Sequence, residues 1–493
     1  MLGLQSLDSL YLIAALILLV IVLTARLAHK WQLPLIIIAL GIGILFGSDV
    51  TGLVYLDDAV LVNRLANLAL IFVLFFAGFS TKRVPRETIL VPSLALATAG
   101  VLLTAVLTGV VLWALLGLGF SHALLIGCII SSTDAAAVFS ILRARSLNRR
   151  TSSITEMESA TNDPMAIVLT TAVILFIAAS VVDPLRIGAS IVWQLAAGIG
   201  VGLLVGKLGC FLFDRIKVID RGYFYIFMIG LVLLSYSFAN LVYASGMLAV
   251  FFAGNTMGIS NITHKSTLSN FLDALSTIAN AGIFVLMGLL AFPGKFGAIW
   301  LQGLVLFLAL TFIARPAAVF ALTAFSGLGP RQKAFISWAG LRGAVPLVLA
   351  TYPVAAGIPG SGDIFSIVFF AVLLSLLVQG STIGKMADWL GLTERARPRP
   401  TQSMELVTVH TSDLQICELE IDEDLYEGSV GVSDLHLPAE TTITMINRSD
   451  DLIAPSGQTK ILPGDVLYVL VKNFNIEKMT SEIVGHFKRK EAK

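Results

Sequence analysis

The stretch SITEMESATNDPMAIVLTTAVILFI, residues 153–177, runs from polar text into an unbroken apolar segment. It sets Glu156, Glu158, Asn162 and Asp163 in or beside a run long enough to cross a bilayer, where a carboxylate costs about 2.5–3.5 kcal/mol on insertion scales. A chain that keeps such groups has a use for them. Ser153 and Glu156 form a Ser-x-x-Glu capping box, which predicts a helix start at Ser153 with Glu156 as the reciprocal cap. In that phase Ser159 and Asp163 lie four apart on one face, and Glu158 and Asn162 four apart on the adjacent face. Pro164 predicts a kink at the level of Asp163, with freed backbone groups facing a cavity.

The 493 residues are 56% apolar and 13% charged, which places the chain among integral membrane proteins. A net charge of +1 suggests neither nucleic acid nor an acidic partner. Cys128, Cys210 and Cys417 are odd in number and widely spaced, so neither a disulfide framework nor a metal site is expected. The first apolar run, about 17 residues without a basic n-region, reads as a retained first helix.

Apolar runs predict an all-α polytopic membrane protein with about 13 spans, near 9–28, 33–47, 61–80, 89–117, 121–143, 152–180, 187–213, 221–241, 244–258, 268–291, 296–326, 331–353 and 363–390. Basic residues gather in alternate loops, among them Lys82, Arg83 and Arg86, Arg143 to Arg150, and Arg395 to Arg399. The positive-inside rule then puts the N-terminus outside and everything after residue 391 in the cytosol. Residues 1–391 form the membrane domain, 392–403 a charged, Pro-bearing linker, 404–475 a small strand-containing α+β cytosolic domain, and 476–493 a solvated basic tail.

The fifth span, LLIGCIISSTDAAAVFSIL, carries Thr133 and Asp134 at its midpoint, and the twelfth, AFISWAGLRGAVPLVLATY, is broken at the same level by Gly340, Arg342, Gly343 and Pro346. Matched breaks predict inverted repeats whose discontinuous helices cross at the bilayer midplane. A guanidinium at that depth needs a counter-charge, and Glu158 is the expected partner of Arg342. Arg315, before Pro316 in the eleventh span, is a possible accessory charge.

SSTDAAAV, ESATNDP and GLRGAV, in spans five, six and twelve, together resemble the monovalent cation:proton antiporter family that includes the sodium/proton exchangers, over residues 1 to about 390. The resemblance implies a homodimer with a mobile core domain. It implies Asp163 as the carboxylate that binds cation and proton alternately, with Asp134, Thr133, Ser159 and Asn162 completing the site and the Glu158–Arg342 pair orienting Asn162. Relatives often carry an acid in a Leu-Phe-Glu-Gly-Gly stretch of span three, where this chain reads LFFAGFS with Phe76. The run from Ile446 to Val469 resembles the TrkA C-terminal domain of potassium-transport regulators, which implies a regulatory role and a small, nucleotide-type ligand.

These readings converge on a non-enzymatic secondary antiporter of a bacterial inner membrane, embedded in lipid and without cofactor. It exchanges K+, or Na+, for H+. Asn at 162 in place of a second acid predicts a one-for-one, electroneutral exchange. The rivals are a cation channel gated by the C-terminal domain, for which no filter-like text exists, and an intramembrane aspartyl protease suggested by GSGD at 360–363, where Asp363 is better read as a helix N-cap.

Overall fold

The computed structural model describes residues 7–31, 35–81, 87–142, 146–178, 184–215, 221–260, 262, 265–394, 403–405, 414–421, 426–448, 451–472 and 476–489. Lys82, Arg83, Arg86, Arg143, Arg145, residues 395–402 of the linker and 490–493 of the tail lie outside them. The chain forms two compact units, a helical one of residues 1–262 and 269–394 and a second of residues 263–268 and 395–493.

The helical unit follows the apolar runs. It comprises α1 (Leu7–Trp31), α2 (Leu35–Phe46), α3 (Ala59–Ser80), and α4 (Glu87–Ala95), which a π turn at Leu96–Gly100 carries into α5 (Val101–Leu116). Next come α6 (Phe120–Ile129), α7 (Ala135–Ile141), α8 (Arg149–Ala178), α9 (Pro184–Arg215), α10 (Arg221–Leu241), α11 (Gly246–Ile259) and α12 (Lys265–Leu290). A π turn at Ala309–Ala314 joins α13 (Phe296–Leu308) to α14 (Arg315–Leu322). After α15 (Pro330–Trp338), α16 (Ala344–Ala350) and α17 (Tyr352–Ala355), a π turn at Ser375–Gln379 joins α18 (Ser361–Leu374) to α19 (Gly380–Trp389). Among the described residues eight continuous helices are long and apolar enough to cross a membrane, and five shorter apolar helices occupy the other expected spans.

Two helix groups emerge from the packing. In one, α11 packs between α3 and α9 with α10 alongside; in the other, α4 to α8 pack with α13 to α19. The helix α8 touches both. Close approach in the first group depends on small residues: a Cβ on Gly254 would meet the Phe75 carbonyl, and one on Gly258 the Phe79 carbonyl.

Two expectations about helix starts change. The helix α8 begins one turn before Ser153, where Asn148 Oδ1 accepts the Arg150 N–H at 3.1 Å, so Asn148 supplies the cap and Glu156 is exposed. Asp363 sits in the first turn of α18 rather than at its N-cap, which is Gly360 in the left-handed region, φ 75°.

A two-stranded sheet closes the helical unit, β1 (Ser146–Leu147) antiparallel to β2 (Thr393–Glu394). The second unit holds β3 (Ser403–Glu405), β4 (Leu414–Glu420), β5 (Tyr426–Glu427), β6 (Val430–Gly431), β7 (Thr442–Arg448), β8 (Asp451–Ile453), β9 (Lys460–Ile461), β10 (Val466–Lys472), the helix α20 (Ile476–Gly485) and β11 (Lys488–Arg489). Its main sheet is antiparallel in the order β3-β4-β10-β7-β8. Strand β10 alternates, burying Leu467, Val469 and Val471 in the core. Residues 476–489, expected as a solvated tail, are part of this domain: Met479, Ile483 and Phe487, four apart, enter its core, and β11 pairs with β5. Arg448 and the buried Asp465 form a two-pronged ion pair at 2.7 and 2.8 Å, which holds the Arg448 guanidinium above its ordinary pKa through the Asp465 hydrogen bonds.

Gly254→Val should lower the thermal midpoint of the detergent-solubilised protein by the equivalent of about 1–3 kcal/mol of overpacking. Gly200→Val on α9, where a Cβ meets nothing within 4 Å, should leave it in place. Equal midpoints for the two variants would refute the close α3–α11 contact.

Candidate ion-binding site

Each broken helix leaves backbone groups that, inside a bilayer, only protein can satisfy. The break between α6 and α7 spans Ile130 to Asp134, and the break between α15 and α16 spans Ala339 to Gly343. They serve each other: Asp134 N–H donates to the Leu341 carbonyl at 2.8 Å, and Arg342 Nη1 donates to the Ser132 carbonyl at 2.5 Å. Gly343 is required here, because a Cβ at that position would overlap the Asp134 carboxylate.

The helix α8 completes the crossing. Ser159 Oγ accepts the Ala135 N–H at 2.7 Å and donates to the Thr133 carbonyl at 2.8 Å, so one hydroxyl ties the end of the first break and the start of α7 to α8. Asn162 Nδ2 donates to Thr133 Oγ1 at 2.7 Å. Asp134 Oδ1 accepts the Ala137 N–H at 3.1 Å and caps α7. One turn beyond Ser159, Asp163 lies within electrostatic reach of Asp134, Ser132 and Arg342. Thr133, Asp134, Ser159, Asn162 and Asp163 therefore meet in one place. The Asn162 Oδ1 acceptor is buried there without a hydrogen-bond partner, which marks oxygen available to a further ligand.

The buried charges pair differently from expectation. Arg315 Nη1 lies 2.6 Å from Glu158 Oε1, with both side chains almost fully buried. Arg342 feels Glu158 only at longer range, and its Nη1 is bonded to the Ser132 carbonyl instead. The π turn at Ala309–Ala314 delivers Arg315 to this level, and Gly340 leaves room for it, since a Cβ there would come within 2.9 Å of Arg315 Nε. Arg315, read as an accessory charge, is the counter-ion, and Arg342 is the lock on the break. Asn162 takes its orientation from Thr133 rather than from a Glu158–Arg342 pair.

Reading the sequence missed a second support. Arg342 N–H donates to Ser375 Oγ at 3.3 Å, Ser375 donates to Gln379 Oε1 at 2.6 Å, and Gln379 Nε2 donates to the Trp338 carbonyl at 3.1 Å. This chain satisfies both ends of the second break. Its visible signal is Gln379, the lone amide in LLSLLVQGS. Phe76 is half-buried on α3, and that helix carries no Asp or Glu.

A cavity of about 380 Å³ opens two turns along α8 from Asp163, lined by Asn63, Thr171, Gln194 and Tyr352. Asn63 donates to Thr351 and Tyr352 donates to Asn67, so its polar wall is held by side-chain hydrogen bonds.

The family model for the sodium/hydrogen exchanger, transmembrane, matches residues 15–389, and that for the TrkA-C domain matches residues 431–484. The K(+)/H(+) antiporter NhaP2 of Shewanella sp. (strain ANA-3) is 35% identical over 481 residues, covering 97% of this chain and 83% of that protein. The K(+)/H(+) antiporter NhaP of Alkalimonas amylolytica is 30% identical over 412 residues, covering 83% of this chain and 72% of that protein. The sodium proton antiporter MjNhaP1 from Methanocaldococcus jannaschii shares the fold, with a TM-score of 0.68 at 24% identity over 77% of this chain and 99% of that one. The chain therefore belongs to the sodium/hydrogen exchanger family and is a cation:proton antiporter with a TrkA-C domain.

Proposed function

We propose that the chain exchanges one K+ for one H+ at Asp163, by alternating access between the two helix groups of a homodimer in a bacterial inner membrane. The charge content of the crossing carries this reading. Arg315 and Arg342 against Glu158, Asp134 and Asp163 leave one net negative charge, which a single monovalent cation or a single proton cancels. Position 162 adds no second acid, and its amide is committed to Thr133. Asp163, Asp134, Thr133, Ser159 and the Asn162 carbonyl oxygen are the hard donors a dehydrated alkali cation takes. The relatives named for K+ and the TrkA-C domain favour K+ over Na+. No cofactor enters the scheme, and a small nucleotide-type molecule is the expected ligand of the cytosolic TrkA-C domain.

The same geometry suggests how that domain acts. Before the chain leaves the helical unit, β2 is pinned to β1, Asn148 N–H donates to the Leu392 carbonyl at 2.9 Å, and Leu392 shares a cluster with Leu147, Val138 and Leu341. A pull on the linker is thereby felt at both breaks and at the start of α8. Leu147 and Thr393 face each other across the pair. In a chain freed of its native cysteines, a disulfide between Leu147→Cys and Thr393→Cys should preserve exchange and abolish the difference in rate between full-length and domain-deleted protein. A regulatory difference that survives oxidation would dismiss this route.

In proteoliposomes with an acidic lumen, K+ should alkalinise the interior equally with and without a potential clamp, and Asp163→Asn should reduce the signal to that of empty vesicles. On the acid limb, log KM for K+ should fall with pH at a slope of about −1, since each cation displaces one proton; two protons would give about −2. A clamp-sensitive rate or the steeper slope would reject one-for-one exchange.

The ion pair makes a separate expectation about stability. Arg315→Gln strands Glu158 and should cost about 3–5 kcal/mol, whereas Glu158→Gln with Arg315→Gln should recover most of it. Better recovery when Glu158→Gln is combined with Arg342→Gln would return the pairing to the one the sequence suggested.

A further inference from the structure

We propose that the C-terminal domain carries a binding site for a divalent transition-metal ion of the Zn2+ class, built from His436, Glu482 and His486. The coordinating atoms of these three residues all lie within 4.8 Å of one another. His486 Nε2 and Glu482 Oε1 are 3.4 Å apart, about the spacing of two donors on one tetrahedral ion with bonds of roughly 2.0–2.1 Å. Closing His436 onto the same centre needs a shift of at most about 1.4 Å, which a side-chain rotation supplies. Two imidazoles and one carboxylate are a donor set suited to Zn2+, Ni2+ or Co2+, and one that Mg2+ has little use for.

Both halves of the set are pre-positioned by one hydrophobic core. Glu482 and His486 stand four apart at the end of α20, beside the stripe of Met479, Ile483 and Phe487 that enters the core. His436 stands between Leu435, which is buried, and Leu437, which packs on the same cluster, so its imidazole is turned away from the core. No other group of three His, Cys, Asp or Glu side chains among the described residues converges in this way. An ion here would fasten the last helix of the TrkA-C domain to the loop before β7, and its occupancy would set how firmly that helix is held. The three side chains are half-exposed to exposed, so the ion would exchange with its surroundings as a sensed ligand does.

The test uses the full-length protein in detergent, with any affinity tag removed and Co2+ as the spectroscopic probe. Titration should give visible d–d bands that saturate at one Co2+ per chain and are bleached by Zn2+, and Zn2+ should raise the thermal midpoint while Mg2+ leaves it unchanged. His436→Gln with His486→Gln should weaken Co2+ binding by at least about tenfold, the scale on which even outer partners of a metal alter affinity. Glu482→Gln should weaken it as well, and neither variant should shift the midpoint in EDTA. Absence of a saturable band, or unchanged affinity in both variants, would overturn the assignment. The readout is equilibrium binding, so it stands apart from the outcome of the exchange assays.

Discussion

Unpaired backbone at the middle of a membrane is the constraint on which the rest of this structure depends. Two helices stop and restart there, and each stop exposes carbonyls and N–H groups that water would otherwise satisfy. The solution is reciprocal. Asp134 N–H bonds the Leu341 carbonyl, Arg342 bonds the Ser132 carbonyl, and Ser159 bonds Thr133 and Ala135 where the first break runs into α7.

That constraint explains why two arginines are present where one acid pair would satisfy charge alone. A guanidinium has five donors in a fixed fork, and Arg342 uses one on a carbonyl that no N–H of the second break reaches. Glu158 is then left for another cation, and the π turn before Arg315 brings one. The Ser375–Gln379 pair works at the second break as Ser159 does at the first, with an amide extending the reach to the Trp338 carbonyl. Small residues follow from the same crowding, since Gly340 and Gly343 sit where Arg315 and Asp134 leave no room for a Cβ.

What was legible in the sequence follows from what a linear pattern encodes. Polar residues at the middle of apolar runs disclosed both breaks and the cluster from Thr133 to Asp163 that gathers at the first of them. Depth is readable from position in a run; rotation about the helix axis is not, and so Glu158 was matched with the wrong arginine. The start of α8 was misplaced because Ser153 and Glu156 satisfy the capping pattern, while Asn148, one turn earlier, does the capping. In the C-terminal domain the Lys- and Arg-rich ending hid the spacing of Met479, Ile483 and Phe487, although that spacing was there to be read.

Three of the candidate ion ligands, Thr133, Asp134 and Ser159, are also helix-break ties, and this has a mechanical consequence. Thr133 offers its hydroxyl to Asn162 and its carbonyl to Ser159, while Asp134 caps α7 with one carboxylate oxygen. A cation that draws on Thr133, Asp134 and Ser159 must share their lone pairs with the bonds that hold the crossing together. A proton on Asp163 makes no such demand, because it neutralises one carboxylate and leaves the ties untouched. Under the one-for-one exchange proposed above, the loaded forms would differ in how tightly α8 is joined to the first break at equal net charge. A separate relay from ion to fold is then unnecessary, because candidate ligands of the one are fastenings of the other.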